Sequence, residues 1–387
     1  MKKLLPVILS LILAASLISC RTQAPDGTVV TSAKVADVSD TVVVPETTSG
    51  QSTASETLTS ATSATAITSE EVPATTTGHV HAFGAWNTIT AATCETNGEQ
   101  RRVCACGAEE FRWVYPSGHN MVGGVCANCG ARETVGLTFT LNEDGQSYTV
   151  TKGEDTSGSI IIPSSYNGKP VIAIGAFGFE KCTWLTALTI PDSVTDIGRY
   201  AFEGCKNLGT VLFGKNVKVI GGFAFDSCRE LSSVTLFDGV EEIGEYAFSA
   251  CRFLDNITLP DSIRSIGFGA FSDIAYVKSD NHYVSGALYI GNHLITANVS
   301  GYYNVRPGTK TIAAGAFAYN RGLCSLTLPA DIAGIGENAF EACSNLTLIR
   351  FDGTVAQWEA MMAQTGGGNG APKMCTIRCT DGDTTNS

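Results

Sequence analysis

Seven residues in one short stretch carry donor atoms suited to a metal ion: His81, Cys94, Cys104, Cys106, His119, Cys126 and Cys129, with His79 just ahead of them. Thiolates and imidazoles bind zinc tetrahedrally, and four of them close the coordination sphere. Cys104-x-Cys106 and Cys126-x-x-Cys129 are separated by 19 residues, near the C-x2-C…C-x2-C spacing of zinc ribbons, although the first pair is one residue short. Gly107 and Gly130 follow the two pairs and suit the tight turn under a metal. His81, Cys94 and His119 then complete a second site or replace a ligand of the first. Disulfides are the rival staple if the chain is exported. Histidines have no part in disulfides, so their presence favours structural zinc in 79–136. A catalytic zinc needs an open position and a base, and thiolates fill the sphere here.

A segment with so few large apolar residues needs a staple of some kind, and the chain around it explains where it would work. Met1-Lys2-Lys3 followed by apolar Leu4–Leu17 is too short for a spanning helix and reads as an export signal, residues 1–20. Leu17-Ile18-Ser19-Cys20 resembles a bacterial lipobox. That resemblance implies cleavage before Cys20 and a diacylglycerol on its sulfur; two acyl chains suffice for stable anchoring. Residues 21–78 are rich in Thr, Ser, Ala and Val with no apolar periodicity, so they read as a disordered tether with a reach on the order of 40 Å.

Beyond the Cys/His module the chain keeps a 23-residue beat. Ile-Gly pairs fall at Ile174, Ile197, Ile220, Ile243, Ile266 and Ile335, and the phase survives a lapse at Ile312. Phe179, Phe202, Phe225, Phe248, Phe271, Phe317 and Phe340 keep the same step, as do Cys182, Cys205, Cys228, Cys251 and Cys343. Each cysteine position is followed by Leu-x-x-apolar-x-apolar, as in Leu185-x-x-Leu188-x-Ile190. A period of this length carrying L-x-x-L-x-L predicts a leucine-rich-repeat solenoid, β-rich, with one short parallel strand per repeat and a short helical or irregular convex side. One repeat cannot bury its own apolar face, so stacking supplies the core. The phenylalanine and cysteine rows are expected to fill that core, the cysteines as buried thiols.

The usual asparagine ladder of leucine-rich repeats is missing; its place reads Ser193, Asn216, Gly239, Ser262, Asp331 and Thr354. The motif is instead P-x-x-[VI]-x-x-I-G-x-x-A-F-x-x-C-x-x-L, clearest in Pro260–Phe271 and Ile243–Cys251. It resembles the BspA-like family of bacterial surface leucine-rich repeats over about residues 137–379. Ile274 and Asn320 depart from it at the cysteine position. The pattern from Ala92-Thr93-Cys94 to Gly130 resembles a zinc-ribbon-like module found beside repeats in clostridial surface proteins.

The expected organisation is an N-terminal cap at 137–171, with a hairpin around Asn142–Gly145, and repeats at 172–350. A variant repeat spans 275–310, with a hairpin around Gly291-Asn292. A C-terminal cap and tail follow at 351–387, where Trp358, Met361 and Met362 close the last turn from a short helix. His282 and His293 read as surface or turn residues. The sequence shows neither an LPxTG-like sorting motif nor a second apolar span, leaving the lipid as its expected anchor.

Net charge is −12 and Lys and Arg do not cluster, which argues against nucleic acid as a partner. No phosphate-binding, dinucleotide, zinc-protease or serine-hydrolase motif is present, so no enzyme activity is expected. The expected work is binding of an extracellular protein or glycan, with the chain exported and lipid-anchored to the outer face of the bacterial membrane. The family resemblance implies adhesion to host matrix proteins or other bacteria. The candidate face is the outward side of the strands: Thr189, Leu212, Thr235, Thr258, Thr327 and Arg350. Capture of a nutrient polysaccharide or peptide, or service as an envelope spacer, are the alternatives.

Overall fold

The computed structural model describes residues 81–94, 96–114, 119–153, 158–279, 282–364 and 375–385. The export signal, Cys20 and the tether lie outside the described residues. Two compact units are present. The small one joins the segment ending at Ala85 to Arg102–Glu109. In it Phe83 bridges to Cys104, the Gly84 N–H donates to the Val103 carbonyl at 3.1 Å, and Arg102 stacks over the Phe83 ring. The large unit holds Trp86–Arg101 and the chain from Glu110 onward.

The large unit contains the solenoid. Its outer strands run Ser159–Ile161, Ala187–Thr189, Thr210–Leu212, Ser233–Thr235 and Asn256–Thr258. They pair in parallel and in step within two sheets: Ala187–Thr189 lies between Ser159–Ile161 and Thr210–Leu212, with Leu188 beside Ile160 on one side and Val211 on the other, and Ser233–Thr235 pairs with Asn256–Thr258. Each repeat adds a second, two-residue strand to the one expected. Ile174, Ile197, Ile220, Ile243 and Ile266 form this ladder, each Ile beside the next. The glycine after each Ile is what lets the turns close up. A Cβ on Gly244 would lie 2.4 Å from the Gly222 backbone nitrogen, and one on Gly267 would lie 2.3 Å from that of Glu245. No side chain fits in that space.

The convex side is built of tight turns, the irregular one of the two forms expected there. Phe177, Tyr200, Phe223 and Tyr246 all have φ between 52° and 58°, and Lys181, Ser227 and Ala250 repeat the left-handed conformation four residues on. A right-handed helix cannot run through such residues. The turns instead form a third ladder between repeats. The N–H groups of Phe177, Phe179 and Lys181 donate to the carbonyls of Arg199, Ala201 and Glu203, and the Tyr200 and Phe223 triplets repeat the pattern.

Identical neighbours then stack. Phe179, Phe202, Phe225, Phe248 and Phe271 lie ring over ring with centroids 5.1, 5.1, 5.3 and 5.6 Å apart, and all are buried. Cys182, Cys205, Cys228, Cys251 and Cys343 are buried free thiols. The last four each donate to the carbonyl of the phenylalanine 26 residues earlier, at 2.9–3.3 Å. Burial raises the Cys228 and Cys251 thiols well above the ordinary range, so these residues act as small core hydrophobes.

At the N-terminal end, Thr138–Leu141 and Tyr148–Thr151 form the expected hairpin, turned by Asp144, whose carboxylate accepts the Gln146 and Ser147 N–H groups. Its second strand pairs in parallel with Lys169–Ile174 and so covers the first turn. At the far end, helix Val355–Gln364 starts at a reciprocal cap between Thr354 and Gln357 and buries Trp358, Met361 and Met362. Strand Thr376–Arg378 pairs with Leu348–Phe351. In the variant repeat, Ala287–Ile290 and His293–Ala297 form a hairpin whose second strand pairs with Thr311-Ile312. The Ala314 N–H also reaches the Ile266 carbonyl at 2.9 Å, which keeps the beat in phase across the lapse. His293 is no surface residue. It is fully buried, with Nε2 donating to the Pro260 carbonyl at 3.0 Å and Nδ1 without a partner. His293 and Leu294 point to opposite faces of their strand and both are buried, so the strand is covered on both sides there. His282 is half-buried and stacks on Tyr276.

Two predictions follow from this core. Asn320 takes the cysteine's place in its turn and is buried with its Nδ2 unpartnered. Asn320→Cys should raise unfolding free energy by about 1–3 kcal/mol, the cost of an unsatisfied buried group, measured by denaturant titration. Burial holds the His293 pKa below its ordinary value against the raising effects of Pro260 and Asp261. The unfolded chain therefore takes up a proton at about pH 6.5 that the folded chain refuses. Stability should fall as pH drops below that point, and His293→Gln should remove this component of the pH profile.

Candidate functional site

The outer strands present one row of side chains inward and two outward. Leu188, Val211 and Val234 are buried, while Thr189, Leu212 and Thr235 stand half-buried on the open face, and Thr210 and Ser233 are exposed beside them. Over the first strands this face is the floor of a cleft of about 490 Å³. The rim residues Pro191, Asp192 and Lys215 follow the strand ends, Phe237 adds aromatic surface, and Phe213 packs inward on Phe225. Thr96, Asn97, His119 and Met121 form a further wall. The Lys215 N–H donates to Asp192 at 2.8 Å, so the rim turn is fixed from one repeat to the next. The volume falls within the range of ligand pockets, and hydroxyls beside apolar surface can fix the orientation of a bound group. Thr258, Thr327 and Arg350 lie on the same register position of later strands but do not line this cleft.

The seven metal-type donors fall into two sets that the spacing did not predict. Cys94, His119, Cys126 and Cys129 bring their ligand atoms within 4.8 Å of one another, and His81, Cys104 and Cys106 form a separate group of three. Each set lies within one compact unit, Cys94, His119, Cys126 and Cys129 in the large one and His81, Cys104 and Cys106 in the small one. Cys94 sits in the bend between strands Asn87–Thr90 and Gly98–Val103, and its Sγ lies 3.8 Å from that of Cys126. His119 Nδ1 is 3.3 Å from the Cys129 Sγ, and His81 Nδ1 is 3.2 Å from the Cys106 Sγ. Burial pushes the Cys126 thiol up, but the backbone N–H groups of Cys129 and Asn128 and the His119 ring outweigh it and bring it to about 6. Burial and the neighbouring thiols push Cys94 up to about 11.

A row of aromatic residues marks the convex side. Phe177, Tyr200, Phe223 and Tyr246 stack at 4.9, 4.8 and 5.0 Å, each in the left-handed conformation. The Arg199 guanidinium lies over Tyr200 and Phe223 and pairs with Glu245 at 2.6 Å. Because the rings stack on one another, they offer a ligand their edges and few of their faces.

Residues 169–298 and 301–362 match six copies of the family described as BspA type leucine rich repeat region. The solenoid belongs to this BspA-type family. Solved structures similar to it include a leucine rich repeat protein of T. pallidum, 22% identical, covering 57% of this chain and 86% of that one at a TM-score of 0.36. A leucine rich cell surface protein of Faecalibacterium prausnitzii is 21% identical, with 60% and 97% covered and a TM-score of 0.31. The pneumococcal vaccine antigen PcpA is 19% identical, with 64% and 84% covered and a TM-score of 0.34. None of these likenesses bears on what the chain binds. A search of curated proteins finds no significant match.

Within the BspA-type solenoid, Thr189, Leu212 and Thr235 come together in the cleft as the alternation implied. Thr210 and Ser233 were legible by the same 23-residue step, since they open strands whose centres are Val211 and Val234. The aromatic row is legible too, as the fourth residue of Ile-Gly-x-aromatic-[Gly/Ala]-Phe. Thr96, Asn97, His119 and Met121 were not, because nothing in their own spacing points at the strands of the repeats.

Proposed function

We propose that the chain is an exported bacterial surface protein, held by a lipid on Cys20, that binds an extracellular protein or glycan in the cleft over its first repeats. The carrying observation is the cleft itself: a hydroxyl-bearing strand face, Thr189, Thr210, Ser233 and Thr235, interrupted by Leu212 and flanked by Phe237. Hydroxyls beside aromatic and aliphatic carbon suit a sugar ring or an extended peptide segment, each of which has polar edges and apolar faces. Capture of a short saccharide is the second reading, and half-buried Phe237 in the lining supports it. No catalytic step belongs to either reading.

The mature chain should give saturable binding in a screen of matrix proteins, mucins and plant and host glycans. Leu212→Glu should weaken the hit at least tenfold, equivalent to about 1.4 kcal/mol. Thr327→Glu, on the same face outside the cleft, should leave it unchanged. Equal loss from both would move recognition off the cleft. For the anchor, wild-type chain should label with lipid and partition with membranes, and Cys20→Ser should do neither. A Cys20→Ser chain still retained by membranes after removal of residues 1–19 would end the lipid reading.

A further inference from the structure

We propose that Cys94, His119, Cys126 and Cys129 hold one structural zinc ion in a closed, four-coordinate site. The first ground is what else could hold this segment together. Among the described residues from 81 to 140, only Cys94, Gly98, Cys104 and Cys126 are buried. Several of the large apolar residues there face solvent: Ile89, Phe111, Trp113 and Val122 are each at least half exposed. A segment whose only buried side chains are thiols has no hydrophobic core. Its fold has to come from cross-links or from a metal, whose binding free energy then becomes folding free energy.

Geometry selects the metal. With zinc–sulfur bonds of about 2.3 Å, two sulfurs at the corners of a tetrahedron lie about 3.8 Å apart. The Cys94 and Cys126 sulfurs are 3.8 Å apart, far longer than a disulfide bond of about 2.05 Å. A zinc-bound sulfur and imidazole nitrogen lie about 3.6 Å apart on the same construction, and Cys129 Sγ and His119 Nδ1 are 3.3 Å apart. All four ligand atoms lie within 4.8 Å of one another, a sphere one ion can fill. Composition agrees. Three thiols cannot all pair as disulfides, and one would be left over, whereas three thiolates and an imidazole form a complete zinc set.

The local backbone serves the same end. Cys126 opens a tight turn closed by the Gly130 N–H donating to the Cys126 carbonyl at 2.8 Å, and Gly130 takes φ +76°. That turn places Cys129 back beside Cys126. Four protein ligands leave no position for water or substrate, so the ion's role is structural. His119 also lines the cleft with Met121, Thr96 and Asn97, so the same ion would fix one of its walls. His81, Cys104 and Cys106 offer three donors only, and a closed set outcompetes them for the first ion.

The test is metal analysis of the mature chain, purified under reducing conditions and challenged with a chelator, alongside cobalt(II) substitution read by absorbance. The expected result is about one tightly held zinc per chain and the intense visible bands of tetrahedral thiolate-bound cobalt. Cys94→Ser, Cys126→Ser and Cys129→Ser should each lose the ion. Cys106→Ser should keep it, and His119→Cys should also keep it by supplying a fourth thiolate. Cooperative unfolding of the solenoid, followed by circular dichroism, shows that each variant is folded. Loss of the tight ion in Cys106→Ser, with retention in Cys94→Ser, would overturn the assignment in favour of the ribbon grouping. No tight zinc in folded wild-type chain, or a Cys94–Cys126 disulfide found by mass after mild purification, would overturn it altogether.

Discussion

Neighbouring turns are hydrogen-bonded through their backbones along three ladders, the outer one divided into two sheets between Thr210–Leu212 and Ser233–Thr235, and everything else in the solenoid accommodates that constraint. Neighbouring strands lie about 4.8 Å apart, so each side chain sits almost directly over its counterpart 23 residues away. Any residue that does not stack on its own copy is penalised at two interfaces. Planar rings stack at this distance, which is why the phenylalanine row succeeds at 5.1–5.6 Å. A thiol is small enough to fit between rows and still reach the carbonyl of the turn before it. At the Ile-Gly pairs the turns come so close that even a methyl group would strike backbone.

The same constraint explains what the amino-acid order revealed. A structure that stacks each residue on its copy writes its period into the sequence, so the solenoid, the buried thiols and the inward row at Leu188, Val211 and Val234 could all be read before any coordinates. The second ladder could not. Its strands are two residues long, as at Val219-Ile220, too short to show an alternation. The third ladder was hidden for a different reason. It depends on backbone conformation at Phe177, Tyr200 and Phe223, residue types that rarely take positive φ. His293 escaped because an interrupted repeat lacks the phase that told inward from outward elsewhere.

The Cys/His module is legible in the opposite sense: its composition is plain and its pairing is not. In a solenoid a residue's neighbour is fixed by the period. In a short segment without a core, neighbours are fixed by the bends, and Cys94 meets Cys126 because of a bend between two strands that sequence spacing does not encode. Counting residues between Cys-x-Cys and Cys-x-x-Cys pairs assumes that each pair faces the other. The cleft has the same origin. Its floor follows the repeat and was expected, while the wall at Thr96, Asn97, His119 and Met121 comes from the part of the chain that has no period.

The aromatic row on the convex side shows which of two demands the fold places first. Holding a bulky residue in the left-handed conformation costs roughly 1–2 kcal/mol, and four successive turns bear that cost. Gly269 and Gly315 occupy the equivalent positions in later turns and avoid it, and Asn338 takes the same conformation with a side chain that tolerates it. The conformation is therefore what the turn requires, because the inter-turn hydrogen bonds at Phe177, Tyr200 and Phe223 hang on it. The ring is an addition. Stacking against the rings above and below offsets part of the backbone cost, as does the Arg199 guanidinium lying over two of them. In the turns with glycine or asparagine that compensation is not needed. Strain that recurs at one repeat position and is answered by stacking is explained by the solenoid itself. The convex row is therefore a weaker candidate for recognition than the cleft, where half-buried Thr189, Leu212 and Thr235 relieve no strain that the fold imposes.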